Sequence, residues 1–321
     1  MLDNIFILIT SLFFVIFAAE LAIKHSIKLA HSIKLTKYAV GVLMVAIISA
    51  LPDAFISATS AINGVSEIGL SLLLGASVTI LTLVIGITVL LSGVKNLPIK
   101  KGILTQNKIF PFLLFLPIIF GLDGYYSRID GLTLIVTGII FYYFVSKNNI
   151  QEEITTDDNP SKKNDRAKTI CWLAASLIVL SISANFVVSS SVALAEQLKI
   201  SPILISMIFI SLGTSIPEFV FSYKALKKQE GLLALGNILG AVLMNVTVVV
   251  GLLALIHPFI FPKAIIYVTG GFMVFAAFLL FSFMKSDRKI SRVEAAGLII
   301  FWLVFVLVQF VTQHVILGTS A

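Results

Sequence analysis

Long apolar runs separated by short polar loops constrain this chain more than any other feature. Stretches of about 18 or more apolar residues recur along it, each long enough to cross roughly 30 Å of hydrocarbon. Ten spans are predicted, at 4–23, 38–62, 66–93, 109–122, 130–146, 169–195, 201–224, 230–256, 263–284 and 293–316. With 58% apolar and 12% charged residues, the composition is that of a polytopic membrane protein. A single cysteine, Cys171, excludes a disulfide framework and any thiolate metal cluster. The start, Met-Leu-Asp-Asn-Ile-Phe, lacks the basic leader of a cleaved signal peptide, so the first span is expected to stay.

Charge sorts across the loops. Those after spans one, three, five, seven and nine carry 20 of the 23 lysines and arginines, leaving Arg128, Lys199 and Lys263 on the other side. By the positive-inside rule the odd-numbered loops are cytoplasmic and both termini are extracellular. Lys147 to Lys168 is mixed in charge and nearly devoid of apolar residues, the composition of a solvated linker. The expected organisation is therefore a first five-helix repeat over 1–146, a cytoplasmic hinge over 147–168 and a second repeat over 169–321.

An odd number of spans per half makes the halves insert in opposite orientations, and the halves are repeats. A constant offset of 165 residues aligns Leu29–Gly86 with Leu194–Gly251 without a gap. It pairs Pro52 with Pro217, Ser57 with Ser222, Gly75-Ala76 with Gly240-Ala241, and Gly86 with Gly251. It also sets Asp53 opposite Glu218. The fold class is thus an all-α membrane protein, ten transmembrane helices in two inverted five-helix repeats. Inverted repeats whose interrupted helices meet at the midplane are the construction plan of secondary transporters.

The segment Ser211 to Glu218, S-L-G-T-S-I-P-E, shows what the repeats are for. Placing an acid at a helix centre in the bilayer costs about 2.5–3.5 kcal/mol on insertion scales. An intramembrane carboxylate is therefore a functional hypothesis by default. Pro217 cannot donate one turn back, and irregular backbone at that depth is tolerated where it lines a cavity. Carbonyls freed by the break are expected to face the same space as Glu218.

These residues resemble the cation/calcium exchanger superfamily, the sodium/calcium exchangers and their prokaryotic relatives. That family's repeats carry G-T-S-x-P-E, then G-N-x-x-G-S-x-x-x-N or D. The second half here reads G-T-S-I-P-E at 213–218 and G-N-I-L-G-A-V-L-M-N at 236–245. The resemblance implies a core of spans two, three, seven and eight around the transported cations. It implies that Glu218 and Asp53 are the carboxylate ligands. Thr214 and Ser215 match hydroxyl ligands, Ser211 a backbone-carbonyl position, and Asn245 the amide ligand on the next helix. In the first half Ser49 matches a hydroxyl ligand and Ala46 the backbone-carbonyl position.

The chemistry agrees. Ca²⁺ takes six to eight hard oxygen ligands, and two carboxylates balance its charge. The four histidines, His25, His31, His257 and His314, fall near span ends or loops, so zinc and copper lack their preferred donors. The first half departs from the pattern. Leu72 and Ile80 stand where the family has asparagines, Ala50 where it has a serine, and Ala76 and Ala241 where it has serines after the second glycine. Those losses fall mainly on the positions the family uses for Na⁺. Ser77 and Thr79 are replacement oxygens only if span three is rotated. An emptied carboxylate pair in low dielectric takes up a proton readily, so H⁺ joins Na⁺ as a counter-ion for Ca²⁺ export.

No cofactor is expected. The partners are the lipid bilayer and inorganic cations, with no nucleic acid. The expected state is a monomer in the plasma (inner) membrane. Two other readings stand: a non-transporting or altered-specificity relative that senses cations, and an intramembrane enzyme. Against the latter, neither Y-D nor G-x-G-D occurs around the two acids.

Overall fold

The computed structural model describes residues 2–31, 50–92, 96–98, 110–147, 163–228, 231–286 and 289–318. Within them the helices fall where the apolar runs predicted. They are α1 (Leu2–His31), α2 (Leu51–Ile62), α3 (Ser66–Leu91), α4 (Phe110–Phe120), α5 (Arg128–Lys147) and α6 (Lys163–Leu198). Then follow α7 (Pro202–Lys227), α8 (Gly231–Met244 continuing through Val250–Ile256), α9 (Ile265–Gly270 continuing through Gly271–Ser286) and α10 (Arg292–Gly318). Among the described residues, six helices are long and apolar enough to cross a membrane. The first part of span two lies outside the described residues, and α4 is short, turning at Leu114 between Pro111 and Pro117.

Burial separates the helices into a core and a periphery. α3 and α8 are buried along most of their length, whereas α6 and α10 present most of theirs outward. Apolar side chains such as Phe186, Ile182, Leu307 and Val311 are therefore exposed, as lipid-facing positions should be. α1 and α6 pack along one another and close over a separate cluster around Val15, Val187 and Ile210.

The repeat is written into the backbone, not only into the letters. α2 starts at a cap, Ala50, with φ −76° and ψ −5°. The post-proline part of α7 starts at Ser215, with φ −81° and ψ −1°. Each is followed by a proline and an acid in the first turn, Asp53 in one and Glu218 in the other. Both segments end at the same offset, at Asn63 and Lys228. α3 widens into a π-turn at Ile80–Val84, and α8 does so at Asn245–Val249. Inside these turns Thr82 donates to Val78 O and Thr247 to Leu243 O, both at 2.6 Å. Ser57 reaches Gly69 O and Ser222 reaches Ala234 O, both at 3.4 Å.

Small residues set the crossings. A Cβ on Gly86 would come 2.7 Å from Ala295 O, and one on Gly251 would come 2.5 Å from Gly131 O. Thus α3 lies hard against α10, and α8 against α5, the close approach that small residues permit in membranes. α5 and α10 both begin with reciprocal caps. Ser127 and Asp130 exchange bonds at one start, Ser291 and Glu294 at the other, a capping-box arrangement. Here the offset has slipped to 164, a one-residue difference absorbed in the loops.

Short strands tie the halves together. β1 (Asn96–Pro98) pairs antiparallel with β4 (Lys289–Ser291), and β2 (Tyr125–Tyr126) with β3 (Phe259–Ile260). The first pair joins the loops after α3 and α9, the second those after α4 and α8. Two-fold related strands therefore meet their partners on opposite faces of the bundle, as inverted repeats require.

Candidate cation site

The site is built where the start of α2 and the break in α7 meet the two π-turns. A proline at the second position of a helix costs no hydrogen bond within it, so both segments start cleanly and bury the acid that follows. Asp53 and Glu218 are 2% and 1% exposed. The decisive contact crosses the halves: Asn245 Nδ2 donates to Asp53 Oδ2 at 2.6 Å, over 192 residues of sequence. Thr214, at the end of the pre-break segment of α7, lies beside the Asp53 carboxylate, its hydroxyl donating to Ser211 O at 3.3 Å. Glu218 follows one turn further along α7.

Two oxygens here have no hydrogen-bond partner among the described residues, Asp53 Oδ1 and Asn245 Oδ1. Buried oxygens left without a donor cost roughly 1–3 kcal/mol each, and a hard cation is the species that would engage both. Ser215, next to Thr214, gives its hydroxyl hydrogen to Ser211 O at 2.7 Å, which leaves lone pairs on its oxygen. Among the described residues no group of three His, Cys, Asp or Glu side chains is placed to hold a metal. Asp53, Asn245 and Ser215 offer hard oxygens, the ligand class that suits Ca²⁺ better than zinc or copper.

Of the residues singled out in the sequence, Asp53, Asn245 and Thr214 are brought together directly, and Ser215 and Glu218 lie in adjacent turns. Ser49 and Ala46 lie outside the described residues. Ser211 O accepts from Ser215 N, Ser215 Oγ and Thr214 Oγ1. Hydroxyls three and four residues on reach back to it. Ser77 Oγ donates to Leu73 O at 2.7 Å, and Thr79 Oγ1 accepts from Trp302 Nε1 at 3.1 Å. Trp302 is consequently turned into the bundle, ten residues along α10, and not held at an interface as its type suggests. Tyr142, which nothing in its sequence marks, donates to Gly240 O at 2.6 Å and ties α5 to α8.

Comparison with known proteins decides the family. The model of the family described as "Sodium/calcium exchanger protein" matches residues 4–147 and again 168–311. The chain belongs to the sodium/calcium exchanger family. This exchanger is therefore an integral membrane protein with two family repeats, and an intramembrane enzyme is set aside. It is 28% identical over 310 residues to the putative antiporter CaxA of Alkalimonas amylolytica, covering 92% of this chain and 95% of that one. It is 24% identical over 350 residues to the sodium/calcium exchanger MaX1 of Methanosarcina acetivorans, covering 96% and 98%. It is 26% identical over 263 residues to the inner membrane protein YrbG of Escherichia coli K12, covering 78% and 79%. Its fold is that of the solved sodium-calcium exchanger NCX_Mj, with a TM-score of 0.66 at 21% identity over 94% of this chain and 96% of that one.

Proposed function

We propose that this exchanger is a secondary active antiporter that exports Ca²⁺, or a related hard cation, in exchange for Na⁺ or H⁺. The cation is held at the midplane by Asp53, Glu218, Thr214, Ser215 and Asn245, with Ser49, Ala46 and Ser211 completing the surroundings. The observation that carries this reading is the 2.6 Å bond from Asn245 to Asp53. It unites an acid of one antiparallel half with the amide of the other and leaves an oxygen of each without a donor among the described residues. Alternating access requires that the site not reorient while empty and charged. Either a proton on a carboxylate or a bound Na⁺ satisfies that condition.

The first half argues for few Na⁺ ions. Ile80 heads its π-turn as Asn245 heads the other, is fully buried, and supplies no oxygen. The lysine and arginine bias supports an orientation with the termini outside and the 147–168 hinge in the cytoplasm, between repeats at 1–146 and 169–321. The test is ⁴⁵Ca²⁺ uptake into inside-out vesicles, with Na⁺ and H⁺ gradients imposed separately. Uptake driven by one of them is expected, and Glu218→Gln should abolish it. Normal transport by Glu218→Gln would remove Glu218 from the site.

A further inference from the structure

Asn237 lies just over two turns before Asn245 on α8, on the side of Glu218 where α7 ends at Lys227. Its side chain is 1% exposed. Nδ2 donates to Ser222 Oγ at 3.3 Å, and Oδ1 has no partner among the described residues. Ser222 is one turn beyond Glu218, so the amide sits one turn from the carboxylate on the Lys227 side.

The other half serves as an internal control. Ser57 stands one turn beyond Asp53 as Ser222 stands beyond Glu218, but Leu72 occupies the place of Asn237 and is fully buried. Leu253 closes the same flank: one of its methyls would be 3.1 Å from a Cβ on Gly69. The two-fold relation carries Leu253 onto Thr88, in the Ile85–Leu91 stretch of α3. That stretch packs against α7 beyond its break, as Val250–Ile256 of α8 packs against α2. Thr88 is 2% exposed and its Oγ1 has no partner among the described residues. One flank of the site is thus plugged by two leucines, while the other carries an amide oxygen and a hydroxyl. Unpartnered polar oxygens are costly in an apolar interior, and the chain's own other half shows that leucines fit there.

We propose that Asn237, Thr88 and Ser222 form a staging site for a partly hydrated cation between Glu218 and the Lys227 face, with no equivalent beyond Asp53. The proposal rests on the exchanger reading. From the Lys227 face a cation exchanges waters for protein oxygens in two steps; from the opposite face it sheds them in one, past Leu72 and Leu253. Affinity should therefore differ by side, and changes at Asn237 should act on one side only.

The experiment measures ⁴⁵Ca²⁺ flux in vesicles of both orientations, with Ca²⁺ titrated at one face at a time. Asn237→Leu should raise KM at the Lys227 face by about tenfold, the loss of roughly one ligand contact, and leave the opposite face unchanged. Thr88→Val should act in the same direction. Asn237→Asp should lower KM at that face, and Leu72→Asn should lower it at the other, so the test survives if Asn237→Leu fails to fold. Equal effects at both faces, or none at either, overturn the staging site while leaving the exchanger intact. A parent chain without Ca²⁺ flux from either face overturns the exchanger reading, and this inference with it.

Discussion

Replacing Asn245 by leucine separates its two jobs. The side chain is fully buried, holds Asp53 Oδ2 at 2.6 Å through Nδ2, and keeps Oδ1 free of any donor among the described residues. Leucine keeps the branching and the number of side-chain heavy atoms and removes both polar ones. In the cation-free protein the lost bond to a buried carboxylate should destabilise the fold by roughly 1.5–3 kcal/mol, the range for hydrogen bonds to charged groups. In the loaded protein Asp53 is engaged by the cation, and the missing Oδ1 becomes the larger loss. Taken as a contact of comparable strength, it should weaken Ca²⁺ affinity by about 10- to 100-fold, at 1.4 kcal/mol per decade. The assay is ⁴⁵Ca²⁺ uptake against Ca²⁺ concentration, run beside thermal unfolding of purified protein with and without Ca²⁺. Asn245→Asp is the companion variant: it keeps an oxygen for the cation, so it should retain uptake where leucine does not. An Asn245→Leu protein with the parent's KM would refute the assignment, even if its stability fell as expected.

Ile80→Asn should shift counter-ion preference towards Na⁺, since it restores an amide to the head of the first π-turn; Na⁺-driven and H⁺-driven uptake compared with the parent decide it. Gly251→Ala should lower thermal stability by about 1–3 kcal/mol through overpacking, because its Cβ would lie 2.5 Å from Gly131 O. Gly271→Ala, with nothing within 4 Å of its Cβ, should not, and thermal melts in detergent compare the two. In a Cys171→Ser background, a cysteine at Asn159 should react with an impermeant maleimide only in inside-out vesicles, and one at Asp123 only in right-side-out vesicles. The reverse pattern would invert the assigned orientation.

The sequence carried the repeat because a Pro-acid pair in an apolar run is too costly to occur twice by accident, and the constant offset then put Asp53 and Glu218 at matching depths. Other features had no such signature. Nothing about Ile80 or Asn245 announces a π-turn; the threonines two residues on, Thr82 and Thr247, bond back four residues as many helical threonines do. The pairing of β1 with β4 involves three residues per strand, too few for any alternation to register. Pro217 has no N–H for the carbonyl four residues back, that of Gly213, whereas Ser211 O accepts from Ser215 N as in any helix and from the hydroxyls of Thr214 and Ser215 as well. A residue list announces none of these bonds. The oxygens on offer also differ between the halves. The first half offers Ile80 and Leu72 where the second offers Asn245 and Asn237. A two-fold backbone carrying so lopsided a set of oxygens cannot bind a cation symmetrically, and the imbalance at the midplane is what should set its preference among Ca²⁺, Na⁺ and H⁺.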